Sequence, residues 1–366
     1  MEISAATGLA GLSHEEVLQL NRDYLESARK AKLQYVSDSI DGILRVKKGS
    51  GFAYYFRAKL VRSSEDIDRI KKLAIPPAWT RVWICPFSNG HIQATGYDIR
   101  GRKQYRYHES WSAVRSETKF HRLYEFGKAL PSLRKTIERD MSEKGLTQTR
   151  VIATIVSLME RTYIRIGNED YNKLYGSHGI TTLLDNHVRI EGNKLRFSFT
   201  GKKGKSQTVT LKNARLARIV RQCRDIPGKV LFQYFDDEGE RQPVDSGMVN
   251  DYIKAASGGD FTAKDFRTWA GSLNLLRSLC FVGNPESKEE CKKNILFALD
   301  EVSRKLGNTR AVCRKYYVHP GLIELYEKNA LSRYLKELDA IEEPDEKADL
   351  TSDEKVFMRI LKALHK

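Results

Sequence analysis

Four segments far apart in the chain offer side chains of the types that breaking a phosphodiester without a metal ion would use: those around Arg165, Lys202 and Arg267, and the run from Leu306 to Pro320. That chemistry needs a nucleophile, donors around the non-bridging oxygens, and an acid for the departing alkoxide. Arg165 falls in RTYIRIGNEDY, Arg161 to Tyr171, which reads as the end of a helix, with Gly167 suited to a chain turn or a close approach. Lys202 falls in GKKGK, Gly201 to Lys205, a glycine-framed tip between two alternating strands that could reach into a DNA groove. Arg267 falls in KDFRTW, Lys264 to Trp269, at the start of a helical pattern, where a guanidinium can fork across two phosphate oxygens. Asn308 and Tyr317 belong to LGNTRAVCRKYYVHP, Leu306 to Pro320, which ends in paired tyrosines between basic residues and a proline. Each fragment also has a structural reading: a salt-bridged surface arginine, an exposed lysine turn, a packed tyrosine.

The elements that must position these groups can be sketched from pattern. Ser13 to Lys32 reads as one amphipathic helix with Ser13 as N-cap. From Ile43 to about His108 the texture is short β-rich runs, such as Phe52 to Phe56 and Arg81 to Cys85, punctuated by Gly42, Gly49, Gly51, Pro76, Pro77, Pro86 and Gly90. From Trp111 long helical patterns dominate, including Phe120 to Leu130 and Thr149 to Ile166, so the composition shift near residue 110 separates two domains, 1–110 and 111–366. A β insertion interrupts the helices: His187 to Glu191, Lys194 to Thr200, then Ser206 to Leu211 with Val209 and Leu211 inward. Gly321 to Lys366 reads as helical with a charged middle, Glu342 to Glu346, and Thr351 to Glu354 fits a capping box. The expected class is α+β: a small antiparallel-sheet N-terminal domain and a mainly helical catalytic domain with a hairpin insertion.

Bulk properties narrow the partners. The chain has 366 residues, 40% of them hydrophobic, and 63 Lys and Arg against 47 Asp and Glu, a net charge of +16. Basic residues spread along the whole length, often beside aromatics, suit a polyanion or a solvated basic surface. The five cysteines, Cys85, Cys223, Cys280, Cys291 and Cys313, have no metal-ligand spacing, which fits a reduced cytosolic protein. No export signal and no apolar run of about 20 residues is present, so no membrane partner is expected. With no Walker-type loop, HExxH motif or carboxylate cluster, phosphate chemistry here is expected to use neither ATP nor metal.

The order Arg, hairpin Lys, Lys-Asp-x-Arg, Gly-Asn, Tyr-Val-His-Pro resembles the type IB topoisomerases, most closely their compact bacterial and viral branch. The resemblance continues upstream in IPPAW, Ile75 to Trp79, and in Gly90 to His108, and covers roughly residues 40 to 320. It implies a DNA breaking-rejoining fold, no cofactor, a double-stranded DNA partner, and a monomer that closes as a clamp, in the cytoplasm with the nucleoid. It assigns Arg165, Arg267 and Asn308 to the scissile phosphate, Lys202 to the 5′-oxygen as general acid, and Tyr317 rather than Tyr316 to the attack, leaving Tyr316 as a packing residue. It also matches Gln104 and Tyr105, with Arg102 and Lys103 beside them, to DNA-contacting positions. Viral and nuclear relatives carry His where this chain has Asn308, and Asn can only donate or accept a hydrogen bond there. Tyrosine recombinases, the nearest alternative, usually have His three residues before the second Arg, where this chain has Lys264; a non-catalytic DNA-binding protein is the alternative of another class.

Overall fold

The computed structural model describes residues 13–99, 101, 103–169, 172, 176–341 and 349–364. It has the expected α+β layout, in two compact units that divide between Arg122 and Leu123, inside one long helix. In the first unit the predicted Ser13 to Lys32 helix is two, α1 (His14–Arg22) and α2 (Tyr24–Lys30). Ser13 and Glu16 form the reciprocal capping box. Asp23 breaks the run because its carboxylate caps a new helix, accepting the Glu26 amide at 2.9 Å, and a backbone bound by a side chain leaves the helical ladder.

Strands β1 (Ile43–Lys48), β2 (Gly51–Phe56), β3 (Lys59–Leu60), β4 (Thr80–Ile84), β5 (Ile92–Tyr97) and β6 (Lys103–Tyr107) form an antiparallel sheet in the order β3-β2-β1-β4-β5-β6. One face buries Ile43, Val82, Ile84 and Ala94 against Ile70 of α3 (Ser64–Lys72), a helix the β-rich composition had concealed. The other face leaves Leu44, Val46, Tyr105 and Tyr107 exposed. Edge strand β6 therefore alternates, with Lys103, Tyr105 and Tyr107 outward and Gln104 and Arg106 half-buried.

The second unit is built on α4 (Glu109–Asp140), of which it holds the part from Leu123, and α5 (Gln148–Thr162), followed by the sheet β7 (Val188–Glu191), β8 (Lys194–Thr200) and β9 (Ser206–Lys212), close to the predicted insertion. Then come α6 (Ala214–Arg224), the short strands β10 (Gln233–Phe235) and β11 (Arg241–Pro243), α7 (Ser246–Ser257), α8 (Ala263–Val282), α9 (Lys288–Leu306), α10 (Arg310–Tyr316), α11 (Pro320–Glu327), α12 (Ser332–Asp339) and α13 (Ser352–Leu364). Helix α5 stops at Thr162, earlier than its pattern suggests, because Tyr163 turns left-handed at φ 58°. Helix α8 is buried on most sides, from Ala263 to Leu279, which fits its role as the central strut.

A buried ion network fastens α13 to that strut. Arg134 of α4 reaches Glu160 of α5 at 2.7 Å and both oxygens of Glu354 at 2.7 and 2.8 Å, while Trp269 of α8 donates its indole N–H to Glu354 at 3.0 Å. The expected capping box is half present: Glu354 accepts the Thr351 amide at 3.0 Å, but the Thr351 hydroxyl and the Glu354 amide both turn to Asp353. The acidic stretch 342–346 lies outside the described residues. Burial alone would raise the Glu354 carboxyl; the bonds and charge of Arg134, with the Thr351 amide and the indole, hold it below its ordinary value. Its contribution is therefore complete at neutral pH and is lost as acidification passes through the depressed folded value. Glu354→Ala, which leaves Arg134 buried with Glu160 as its one carboxylate partner, is expected to cost about 3 kcal/mol or more. Chemical denaturation at pH 7 checks this, and an unchanged midpoint would contradict it.

Candidate active site

Arg165 lies not in a helix but in the extended segment after Tyr163. Its carbonyl accepts the Ile180 amide at 2.7 Å and that of Ile166 accepts the Thr181 amide at 2.9 Å, so segment 179–181 fixes the backbone. This approach needs a glycine at 179, where a β-carbon would come within 2.4 Å of the Gly167 backbone and 2.6 Å of the Arg165 carbonyl. The side chain then spans to the loop after α9, donating to Asn308 Oδ1 at 2.6 Å and to the Gly307 carbonyl at 3.3 Å.

Arg267 enters from the second turn of α8 and is only 6% exposed. It donates to the carbonyl of Tyr163, which the left-handed turn presents, and to the carbonyl of Leu306 at 2.7 Å. Two guanidiniums thus grip one loop from two directions. Burial, then the neighbouring Arg267 charge, brings Arg165 down to about 10, while burial lowers Arg267 against the opposing pull of Tyr317. A cation pair held this way favours any anion that comes between them.

Tyr317 caps the end of α10, its amide bound to the Cys313 carbonyl at 2.9 Å, with its ring centroid 5.1 Å from the Arg267 guanidinium carbon. Its backbone presses on α8 one turn beyond Arg267, where a β-carbon at Gly271 would lie 2.4 Å from the Tyr317 carbonyl oxygen. Ser272 closes the contact, donating to that carbonyl at 3.3 Å and accepting the His319 amide at 3.0 Å. His319 is spent structurally: its Nδ1 accepts the Gly321 amide at 3.0 Å and starts α11. Tyr316 does not pack as expected. It is 47% exposed under Lys315, because the helix ends between the two tyrosines and turns their rings apart.

Two donors in this cluster have no acceptor. Arg165 must donate to Asn308, so Oδ1 faces the guanidinium and the Asn308 amide nitrogen points away. That nitrogen and Arg267 Nε are both buried and unpartnered, half of the four such atoms among the described residues. Each costs about 1–3 kcal/mol unless a ligand oxygen meets it. Four separated segments therefore converge on a site for an oxyanion with a phenol at its edge.

A family model described as "Eukaryotic DNA topoisomerase I, catalytic core" matches residues 108–343, and one described as "Bacterial DNA topoisomerase IB, N-terminal domain" matches residues 51–98. DNA topoisomerase 1B of Acanthamoeba polyphaga mimivirus is 36% identical over 298 residues, 79% of this chain and 89% of the viral protein. The chain belongs to the type IB DNA topoisomerases. DNA topoisomerase 1B of vaccinia virus (strain Copenhagen) is 24% identical over 244 residues, 64% of this chain and 73% of the relative.

The other residues singled out from the sequence of this topoisomerase are placed as follows. Lys202 is exposed on a one-turn 3-10 helix, Lys202–Gly204, at the tip between β8 and β9. It is tied to the cluster through its loop, since Gly201 and Gly307 both lie against the amide of Gln207. Burial pushes the Cys313 thiol up to about 11, and the charges of Arg267, Arg165 and Lys205 oppose that rise. Arg102 lies outside the described residues. Lys103 bonds Asp38 at 2.5 Å, Gln104 donates to Asp98 at 3.1 Å, and Tyr105, 44% exposed, stacks on Tyr107 at 5.9 Å. Adjacent residues of one strand face opposite ways, so Gln104 and Tyr105 look to opposite faces of the sheet.

Sequence reasoning passed over Tyr163, Gly179, Gly271, Ser272 and Gln207. Tyr163 and Gly271 serve through backbone position and Ser272 through its hydroxyl, and no residue-type signal marks them.

Proposed function

We propose that this topoisomerase cuts one strand of duplex DNA by attack of Tyr317 on a phosphodiester, holds the 3′ end as a phosphotyrosyl ester, lets the 5′ end swivel, and rejoins the strand. Arg165, Arg267 and Asn308 hold the non-bridging oxygens, and Lys202 gives a proton to the 5′-oxygen as it leaves. The observation that carries this reading is the pair of buried unpartnered donors, Arg267 Nε and Asn308 Nδ2, beside a guanidinium pair and next to the Tyr317 ring. A phenol is a weak nucleophile at neutral pH until cations stabilise the developing phenolate, and the same cations offset the charge gathering on the phosphoryl oxygens. Asn308 cannot titrate, and its oxygen is already occupied by Arg165, so it serves as a donor and leaves proton transfer to Lys202.

The phosphotyrosyl bond keeps roughly the energy of the bond it replaces, so rejoining needs neither nucleotide nor metal. We take the protein to act as a monomer on nucleoid DNA, its two units closing around the duplex as a clamp, with the exposed face of the N-terminal sheet and residues Arg102 to Tyr105 meeting the DNA. Most binding energy then comes from phosphates and falls steeply with salt. The test is relaxation of positively and negatively supercoiled plasmid in EDTA without ATP. Relaxation of both signs is expected; no relaxation, or strand exchange confined to one sequence, would replace this reading with the recombinase one.

A further inference from the structure

Gln207 is the second residue of β9, opposite Phe199 of β8, and it continues the inward row of Val209 and Leu211 toward the hairpin tip. Where that row would call for an apolar side chain, it has an amide. The amide lies against two glycines from distant parts of the chain: a β-carbon on Gly307 would be 2.6 Å from its Nε2, and one on Gly201 would be 2.9 Å from it. A β-carbon at either position would push the amide aside.

The two glycines belong to the two halves of the proposed chemistry. Gly201 opens the tip that carries Lys202, and its amide donates to Lys205 at 2.8 Å while its carbonyl accepts Gly204 at 3.1 Å, which closes the turn. Gly307 lies in the loop that Arg267 holds at Leu306 and that Arg165 holds at Gly307 and Asn308. The arginines grip this loop at Leu306, Gly307 and Asn308, and the Gln207 amide lies against its Gly307.

We propose that Gln207 is a positioning residue that sets the distance between Lys202 and the scissile phosphate. The proposal rests on the reading of Lys202 as general acid. An exposed hairpin tip has few contacts to hold it, and a donor misplaced by about 1 Å can lose on the order of 100-fold in rate. In the cleavage step the Tyr317 oxygen bonds to phosphorus and its proton leaves to solvent, the bond from phosphorus to the 5′-oxygen breaks, and the Lys202 ammonium protonates that oxygen. Rejoining reverses each transfer. Gln207 touches none of the reacting atoms; it keeps the ammonium in line with the leaving oxygen.

Single-turnover cleavage of two otherwise identical duplexes, with oxygen or sulfur at the 5′ leaving position, tests this, because a thiolate leaves without a proton. Gln207→Ala is expected to slow the oxygen substrate by on the order of 10-fold to 100-fold and to cleave the sulfur substrate close to the unaltered rate. Lys202→Ala is expected to follow the same pattern, and the double variant to be no slower than Lys202→Ala alone. Gln207→Asn, which keeps the amide but shortens its reach, should show a smaller deficit of the same kind with an unchanged unfolding midpoint. Equal deficits for Gln207→Ala on both substrates, or multiplying effects in the double variant, overturn the proposal while leaving Lys202 as the acid. Failure of sulfur to rescue Lys202→Ala removes the acid assignment itself, and the proposal with it.

Discussion

Tyr317→Phe is expected to abolish covalent capture of DNA, whereas Tyr316→Phe retains it. The two tyrosines are adjacent, yet α10 ends between them: Tyr317 turns toward the Arg267 guanidinium at 5.1 Å, and Tyr316 turns outward, 47% exposed beneath Lys315. Removing the phenolic oxygen of Tyr317 takes away the atom that would bond to phosphorus. The grip of Gly271 and Ser272 on its backbone stays, so the variant should fold and bind duplex normally. Denaturing electrophoresis of labelled substrate reads the adduct, and mass mapping of the DNA-bound peptide assigns the residue. An adduct that persists in Tyr317→Phe, or that maps to Tyr316, would end the assignment.

Arg267→Lys is expected to lower the cleavage rate on the order of 10²-fold to 10³-fold, as loss of one well-placed donor to a transition-state oxyanion does. The charge is kept, so the prediction isolates geometry. Arg267 bonds the carbonyls of Tyr163 and Leu306 through different nitrogens while its Nε points elsewhere, unpartnered. A lysine ammonium, one point of charge on a flexible stem, cannot serve all three directions. One buried carbonyl is then left without its donor, at a cost of about 1–3 kcal/mol, so rates should be compared well below the variant's melting temperature. Cleavage by Arg267→Lys at the unaltered rate with unaltered stability would show that the fork is not used.

Much of the fold was legible because its signals are local. The alternation Leu195, Phe197, Phe199 fixes β8 and places a glycine-framed lysine turn after it, and the β-rich run before residue 110 announces the N-terminal sheet. The helix boundaries were less so. Asp23 divides one amphipathic run through a cap, and Tyr163 ends α5 through a left-handed turn that a tyrosine adopts only under tertiary constraint. The second of these matters, since it frees Arg165 from the helix and gives Arg267 its carbonyl. Arg165, Arg267, Asn308 and Tyr317 could be named from their order along the chain, but not the residues that hold them. Gly271 acts through how closely one backbone approaches another and Gln207 through an amide laid against two distant glycines, and a spacing pattern encodes neither distance. Glu354 caps Thr351 as its pattern suggests and is also the buried carboxylate joining Arg134 to Trp269, a pairing across distant segments that leaves no trace in a local window.

Helix α8 is backed by a helix that the ribosome makes after it. Arg267, Gly271 and Ser272 serve the site, while Trp269, between them, is held from behind by Glu354 of α13, and Leu364 of α13 covers Gly321 beside His319. A growing chain that has passed Tyr317 but not reached Ser352 holds every proposed catalytic residue and lacks the helix that backs them. In it Arg134 and Glu160 pair without their third partner, and the Trp269 indole of the strut lacks its carboxylate. The last helix described is thus also the last of these elements to be made: the tyrosine proposed as nucleophile exists before the helix whose carboxylate holds Trp269.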